Sequence, residues 1–183
     1  MKHKARVPAS SVARNTPNEE CDKPNVPSSK RRGEVVELAF LYKAVSLGFG
    51  VAKPYGDSEC YDFIVDSSRD SGAPDWRGDS HGPEPGGRLW RVQVKSGSFL
   101  CRGAYHISAA HATTRRRKEP YTPAQIDFLV VDIVPHDAWY IIPVREFAPR
   151  RYLSFFPQNR DSNGRYEHFR EAWYLMHCTE EAT

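Results

Sequence analysis

The chain has 183 residues, 39% of them hydrophobic and 27% charged, a size and balance that suit one domain with a core of its own. Its formal net charge of +3 is too small to announce a nucleic-acid partner, and no apolar run approaches the roughly 20 residues of a membrane helix or marks a signal peptide. Cys21, Cys60, Cys101 and Cys178 form no C-x-x-C pair, which argues against a zinc site and a compact disulfide framework, so a soluble protein of a reducing cytoplasm is expected.

Residues 1–29 are rich in proline, serine and asparagine and poor in large apolar side chains, and are expected as a tail that burial cannot order. A domain is expected over residues 30–178, followed by a short tail over 179–183. It opens with "SSKRRGEVVELAFLYKAVSLGFG". There Val36, Phe40, Ala44 and Leu47 recur at helical spacing, Ser28 or Ser29 can cap the start, and Gly48 stands just past the end. Glu34 sits one turn after Lys30 and Arg31 and reads as a surface acid. Glu37 is followed one turn later by Phe40 and Leu41, so it is either a helix-rim acid reaching water or a carboxylate that needs a partner.

"FGVAK" then reads as a strand, "PYGDSE" as a turn and "CYDFIVD" as a second strand, with Tyr61, Phe63 and Val65 on one face and Asp62 and Ile64 on the other. A glycine- and proline-rich insertion at 67–87 follows; its Arg77-Gly78-Asp79 tripeptide is a common chance match. The chain returns in "RLWRVQVKSG", a third strand on which two valines alternate with Arg91, Gln93 and Lys95. That polar row either faces solvent or aims at something. Strands in one sheet lie about 4.8 Å apart, so Asp62 on one and Gln93 and Lys95 on the next can face a common point. A helix packed across the sheet can bring Glu37 there.

Downstream, "AYHIS" reads as a fourth strand, and "FLVVDI" and "WYIIPV" as a pair around "VPHDA", with Asp127 and Asp132 as strand-end residues. Arg115, Arg116, Arg117 and Lys118 form the densest basic run, in a loop that could grip a phosphate backbone; Lys30, Arg31 and Arg32 beside the first helix are a second such group. His106 and His111 read as incidental surface residues. "GRYEHFREAWYLM" spaces Tyr166, Phe169, Trp173 and Met176 as a helix packing on the sheet would.

The ordered set of glycine-x-x-x-glutamate on the first helix, aspartate on the second strand and "QVK" on the third resembles the PD-(D/E)XK nuclease superfamily over residues 30–176. It is most similar to the branch of group I intron-type homing endonucleases, with archaeal Holliday-junction resolvases as more distant relatives. The resemblance implies an α/β domain, a restriction-endonuclease-like mixed central β-sheet flanked by helices in an αβββ(α)β core. It also implies a magnesium-dependent DNA endonuclease, with manganese able to substitute. Asp62 would be the principal metal ligand, joined by Glu37 and the Val94 backbone carbonyl, and Lys95 would hold the attacking water, Gln93 completing the catalytic set. Double-stranded DNA and a homodimer or tetramer are the implied partners, and no membrane. Two departures stand out: Gln93 occupies the place of a second acid, which favours one metal ion over two, and Tyr61 stands where the superfamily name has proline. A junction resolvase, or a DNA-binding module of this fold without cleavage, is the alternative.

Overall fold

The structure is a computed structural model that describes residues 28–56, 58–68, 88–113, 117–159 and 164–177. Most of the expected N-terminal tail, the bulk of the 67–87 insertion, Arg115, Arg116, Cys21, Cys178 and the C-terminal tail lie outside the described residues.

Helix α1 spans Ser29–Ser46. The Ser28 hydroxyl accepts from the Arg31 N–H at 3.2 Å, satisfying one of the donors that every helix start leaves open. Gly48, at φ +91°, turns the chain out of the helix in the left-handed conformation that favours glycine. Val36, Phe40 and Ala44 are buried, as their spacing predicts.

The central sheet has the order β1-β2-β3-β8-β9, built from Gly50–Ala52, Phe63–Asp66, Leu89–Gly97, Phe128–Ile133 and Ala138–Pro143. β3 and β8 run parallel and every other neighbouring pair antiparallel, so the sheet is mixed, as expected. Between β3 and β8 lie β4 (Leu100–Cys101), β5 (Ala104–Ser108), β6 (Ala110–Ala112) and β7 (Lys118–Pro120). The helix bracketed in the expected core is therefore replaced, among the described residues, by strands. After β9 a short helix α2 (Val144–Phe147) leads to β10 (Tyr152–Phe155). β10, β5 and β4 form a second sheet, and β6 and β7 a small ribbon.

Two cores sandwich the central sheet. On one face, Val36, Phe40 and Ala44 of α1 pack with Phe63, Val65, Val92, Val94, Val130 and Ile141. On the other, Leu129, Val131, Ile133, Tyr140 and Ile142 pack with Tyr105, Ile107, Leu153 and Phe155 of the second sheet. Every residue of β8 is buried, the signature of a strand covered on both sides.

The segment expected as a C-terminal helix is corrected: it forms two 3-10 turns, Glu167–Phe169 and Trp173–Met176. Tertiary hydrogen bonds win over the helical period here. Arg170 bridges to Tyr140 of β9, Glu171 adopts φ +50° and donates its N–H to the Trp139 carbonyl at 2.7 Å, and its carboxylate accepts from the Trp139 N–H and the Trp173 indole. Tyr166, Phe169, Trp173 and Met176 are nonetheless all buried.

Candidate active site

The second expected strand is shorter than its sequence suggested, and that shortness makes the site. β2 begins at Phe63, which pairs with Val92, so β3 runs on from Gln93 to Gly97 with no β2 partner beside it. Asp62 stands at the fork. Its N–H makes one last ladder bond to the Val92 carbonyl at 2.9 Å, and its carboxylate then accepts the Val94 N–H at 2.9 Å. Backbone groups two residues apart on a strand point to the same side. The Val94 carbonyl therefore faces the same open edge as its N–H, with the Gln93 amide 3.3 Å away.

Gln93 and Lys95 do not form the solvent-facing row that the alternation allowed. In register with Leu129 and Val131 of β8, they belong to the face covered by the second sheet, and Gln93 is only 6% exposed. Gln93 turns its NH₂ onto the Asp62 carboxylate, so it works as a donor that fixes the acid. Glu37 approaches from the α1 face. The four side chains meet around the open edge of β3, where one cavity is lined by Glu37, Asp62, Gln93, Val94 and Lys95, with Ser29, Arg32, Gly33, Ser96, Ser98 and Phe99 at its sides.

The charges oppose their surroundings. Burial pushes the Asp62 carboxyl above its ordinary range, against the lowering effect of the Val94 N–H and of Lys95. Burial likewise pulls the Lys95 ammonium down, while Asp62 and Glu37 hold it up and Lys118 adds to the lowering. Lys118 of β7 is thus near enough for its charge to act on Lys95. Arg32 lies at the cavity's side, its guanidinium 5.3 Å from the centre of the Phe99 ring. Lys30, Arg31 and Arg117 are exposed, Arg31 in an ion pair with Glu34 at 3.3 Å.

Sequence reasoning missed Lys53, whose ammonium lies 2.6 Å from Glu37 Oε2; a lysine after a three-residue strand carries no signal until the fold brings it across. Asp127 is a structural anchor, as its strand-end reading implied: it accepts from the Arg91 N–H at 2.8 Å and from the Arg91 guanidinium at 2.9 and 3.1 Å. His106 meets the Ser154 hydroxyl at 2.9 Å and His111 packs on Tyr121, both away from the cavity lining. Cys60 and Cys101 are free thiols.

Among the described residues no group of three or more His, Cys, Asp or Glu side chains is placed to hold a metal ion. The donor set at the open edge is of another make-up: two carboxylates, from Asp62 and Glu37, and a backbone carbonyl, all lining one cavity. Hard oxygens of this kind, with space left for water, fit magnesium.

A mixed sheet forked at an aspartate, with a lysine on the continuing strand and a glutamate from the first helix, resembles PD-(D/E)XK endonucleases, and comparison with known proteins finds similarity to that family and to the fold of a solved endonuclease. The model of the family described as "PD-(D/E)XK endonuclease" matches residues 84–172. That stretch contains Gln93, Val94 and Lys95 but starts after Glu37 and Asp62, which only the fold brings to them. A solved bacterial homing endonuclease, I-Ssp6803I, superposes with a TM-score of 0.64 at 25% sequence identity, covering 82% of this chain and 93% of that one. No curated protein matches the chain. Together these findings support a nuclease.

Proposed function

We propose that the protein is a divalent-metal-dependent DNA endonuclease, similar to homing endonucleases, that hydrolyses phosphodiester bonds in double-stranded DNA. The observation that carries this reading is the convergence of Asp62, Glu37, Lys95 and the Val94 carbonyl on one cavity at the open edge of β3. Asp62, Glu37 and the Val94 carbonyl would hold Mg²⁺, or Mn²⁺ in its place. Bound there, the ion would polarise a phosphoryl oxygen and acidify a water.

The chain's own residues have separable tasks. Lys95, facing the Asp62 and Glu37 carboxylates, orients the attacking water and balances the charge that builds on the phosphoryl oxygens. Gln93 locks Asp62 without adding negative charge, which suits one ion rather than two. Arg32 at the cavity's side, Lys30 and Arg31 beside it in sequence, and the basic run Arg115, Arg116, Arg117 and Lys118 would supply cations for the flanking phosphates. Cutting both strands takes two such sites, so the working unit is a homodimer or tetramer.

Gln93 in the place of an acid also favours a second reading, a module that binds DNA without cutting it. Supercoiled plasmid incubated with and without Mg²⁺ separates the two. The endonuclease reading expects metal-dependent nicking that disappears in Asp62→Ala and Lys95→Ala. Tight binding with no cleavage in any divalent metal would leave only the module.

A further inference from the structure

The carboxylate pair of the site carries a second lysine. Lys53 follows the end of β1 and sets its ammonium 2.6 Å from Glu37 Oε2 of α1. The same ammonium lies 5.7 Å from the centre of the buried Phe63 ring, next to Asp62, and its charge reaches the Asp62 carboxylate as well. The Lys53 side chain is 61% exposed, against 26% for Glu37. An ammonium so hydrated, on a flexible four-carbon stem, is exchangeable, unlike the enclosed Lys95.

A divalent cation that uses Glu37 directly or through a water meets Lys53 as a like charge at the same carboxylate, and the two repel at this range. We propose that Lys53 is a positioning residue that couples cation entry to strand binding. It holds Glu37 while no cation is present, yields that carboxylate when the cation enters, and then presents its ammonium to a phosphate of the bound DNA. The two lysines divide the work: Lys95 serves the reacting phosphate from inside, and Lys53 exchanges partners at the rim. This inference rests on the cation site proposed above.

Isothermal titration of the full chain with Mn²⁺, in the absence of DNA, tests the first half. Lys53→Met is expected to bind Mn²⁺ about fivefold more tightly than the wild type, and Lys53→Arg, which keeps the charge, about as the wild type does. A variant that had merely lost structural support would bind the ion more weakly. The second half is read by fluorescence anisotropy with a duplex oligonucleotide in Mn²⁺, in a Lys95→Ala background that suppresses cutting: adding Lys53→Met is expected to weaken duplex binding about three- to tenfold. Equal or weaker Mn²⁺ binding by Lys53→Met, or unchanged duplex binding, overturns the role of Lys53. Asp62→Ala keeps the two levels apart. If the wild type takes up no Mn²⁺ that Asp62→Ala removes, the cation site itself fails; if it does and Lys53→Met binds no tighter, the fault lies with Lys53 alone.

Discussion

Burial raises the Asp62 carboxyl and lowers the Lys95 ammonium, and the charge of each group opposes the shift of the other. In the proposed endonuclease a lysine in that position would contribute mainly as charge develops on the phosphate, the duplex being held in its ground state by the other cations. Lys95→Ala is therefore expected to lower the single-turnover nicking rate by about 10²- to 10³-fold while duplex affinity stays within about threefold. Rate and affinity measured on the same preparations check this, and an affinity loss as large as the rate loss would refute it. Asp132 is a different case. It lies on β8, 8% exposed, and burial, reinforced by the carboxylates of Asp137 and Glu171, pushes its carboxyl up to about 6. A folded-state pKa above the unfolded value means that the native protein binds the extra proton between the two. Stability is then lost as pH rises from about 4 to about 6 and stays lost above. Asp132→Asn lacks that penalty. Urea unfolding at pH 7.5 should show it more stable than the wild type by up to about 3 kcal/mol, with the difference vanishing below about pH 4.

β3 is the element on which fold and site both depend, since it pairs with β2 and β8 and then runs on alone past the fork. Its last residue shows how closely it is packed. A Cβ on Gly97 would lie 2.8 Å from Ile133 Cδ1 and 2.9 Å from Ile107 Cδ1, where the two sheets meet. Those are ends of flexible side chains that can give a little, so Gly97→Ala is expected to cost about 1–2 kcal/mol and Gly97→Val more. Gly33, inside α1, is the control: a Cβ there meets nothing within 4 Å, and Gly33→Ala should gain up to about 1 kcal/mol from helix propensity. Chemical denaturation of the three variants decides both. The elements legible in the sequence were those whose local signals agree with their packing: α1 with its serine cap and Gly48, the valines of β3, and the paired apolar runs of β8 and β9. Less legible were features set by distant partners. Gln93 is polar yet buried because Asp62 takes its amide. "CYDFIVD" starts its pairing late, at Phe63, because the Asp62 carboxylate, rather than another strand, takes the Val94 N–H. The C-terminal segment shows the period of a helix yet forms 3-10 turns because the edge of β9 takes its backbone at Arg170 and Glu171, an attachment that the Glu171 carboxylate reinforces by accepting the Trp139 N–H.

Across the whole molecule, that C-terminal segment closes the core beneath α1. Trp173, 6% exposed, lies with its ring centre 6.1 Å from Phe40 of α1 and 5.9 Å from Trp139 of β9, and Met176 is fully buried. The Met176 carbonyl accepts from the Trp90 indole of β3 at 2.8 Å, and the Glu171 carboxylate lies 3.6 Å from Lys43 near the end of α1. The chain's last described residues thus set how α1 sits on the sheet, and α1 carries Glu37 to the site. Trp173→Ala removes a large ring from a shared three-ring cluster and is expected to cost about 3–5 kcal/mol. Tyr174, next in sequence but 63% exposed, should change stability by less than about 0.5 kcal/mol when replaced by alanine. The coupling to function is read at a temperature where Trp173→Ala remains folded. With α1 less firmly seated, Glu37 loses its fixed distance from Asp62, and Mn²⁺ affinity should fall about three- to tenfold in Trp173→Ala while Tyr174→Ala retains it. Folded Trp173→Ala that binds Mn²⁺ as the wild type does would mean that Glu37 is placed by its own turn of helix and owes nothing to the packing beneath it.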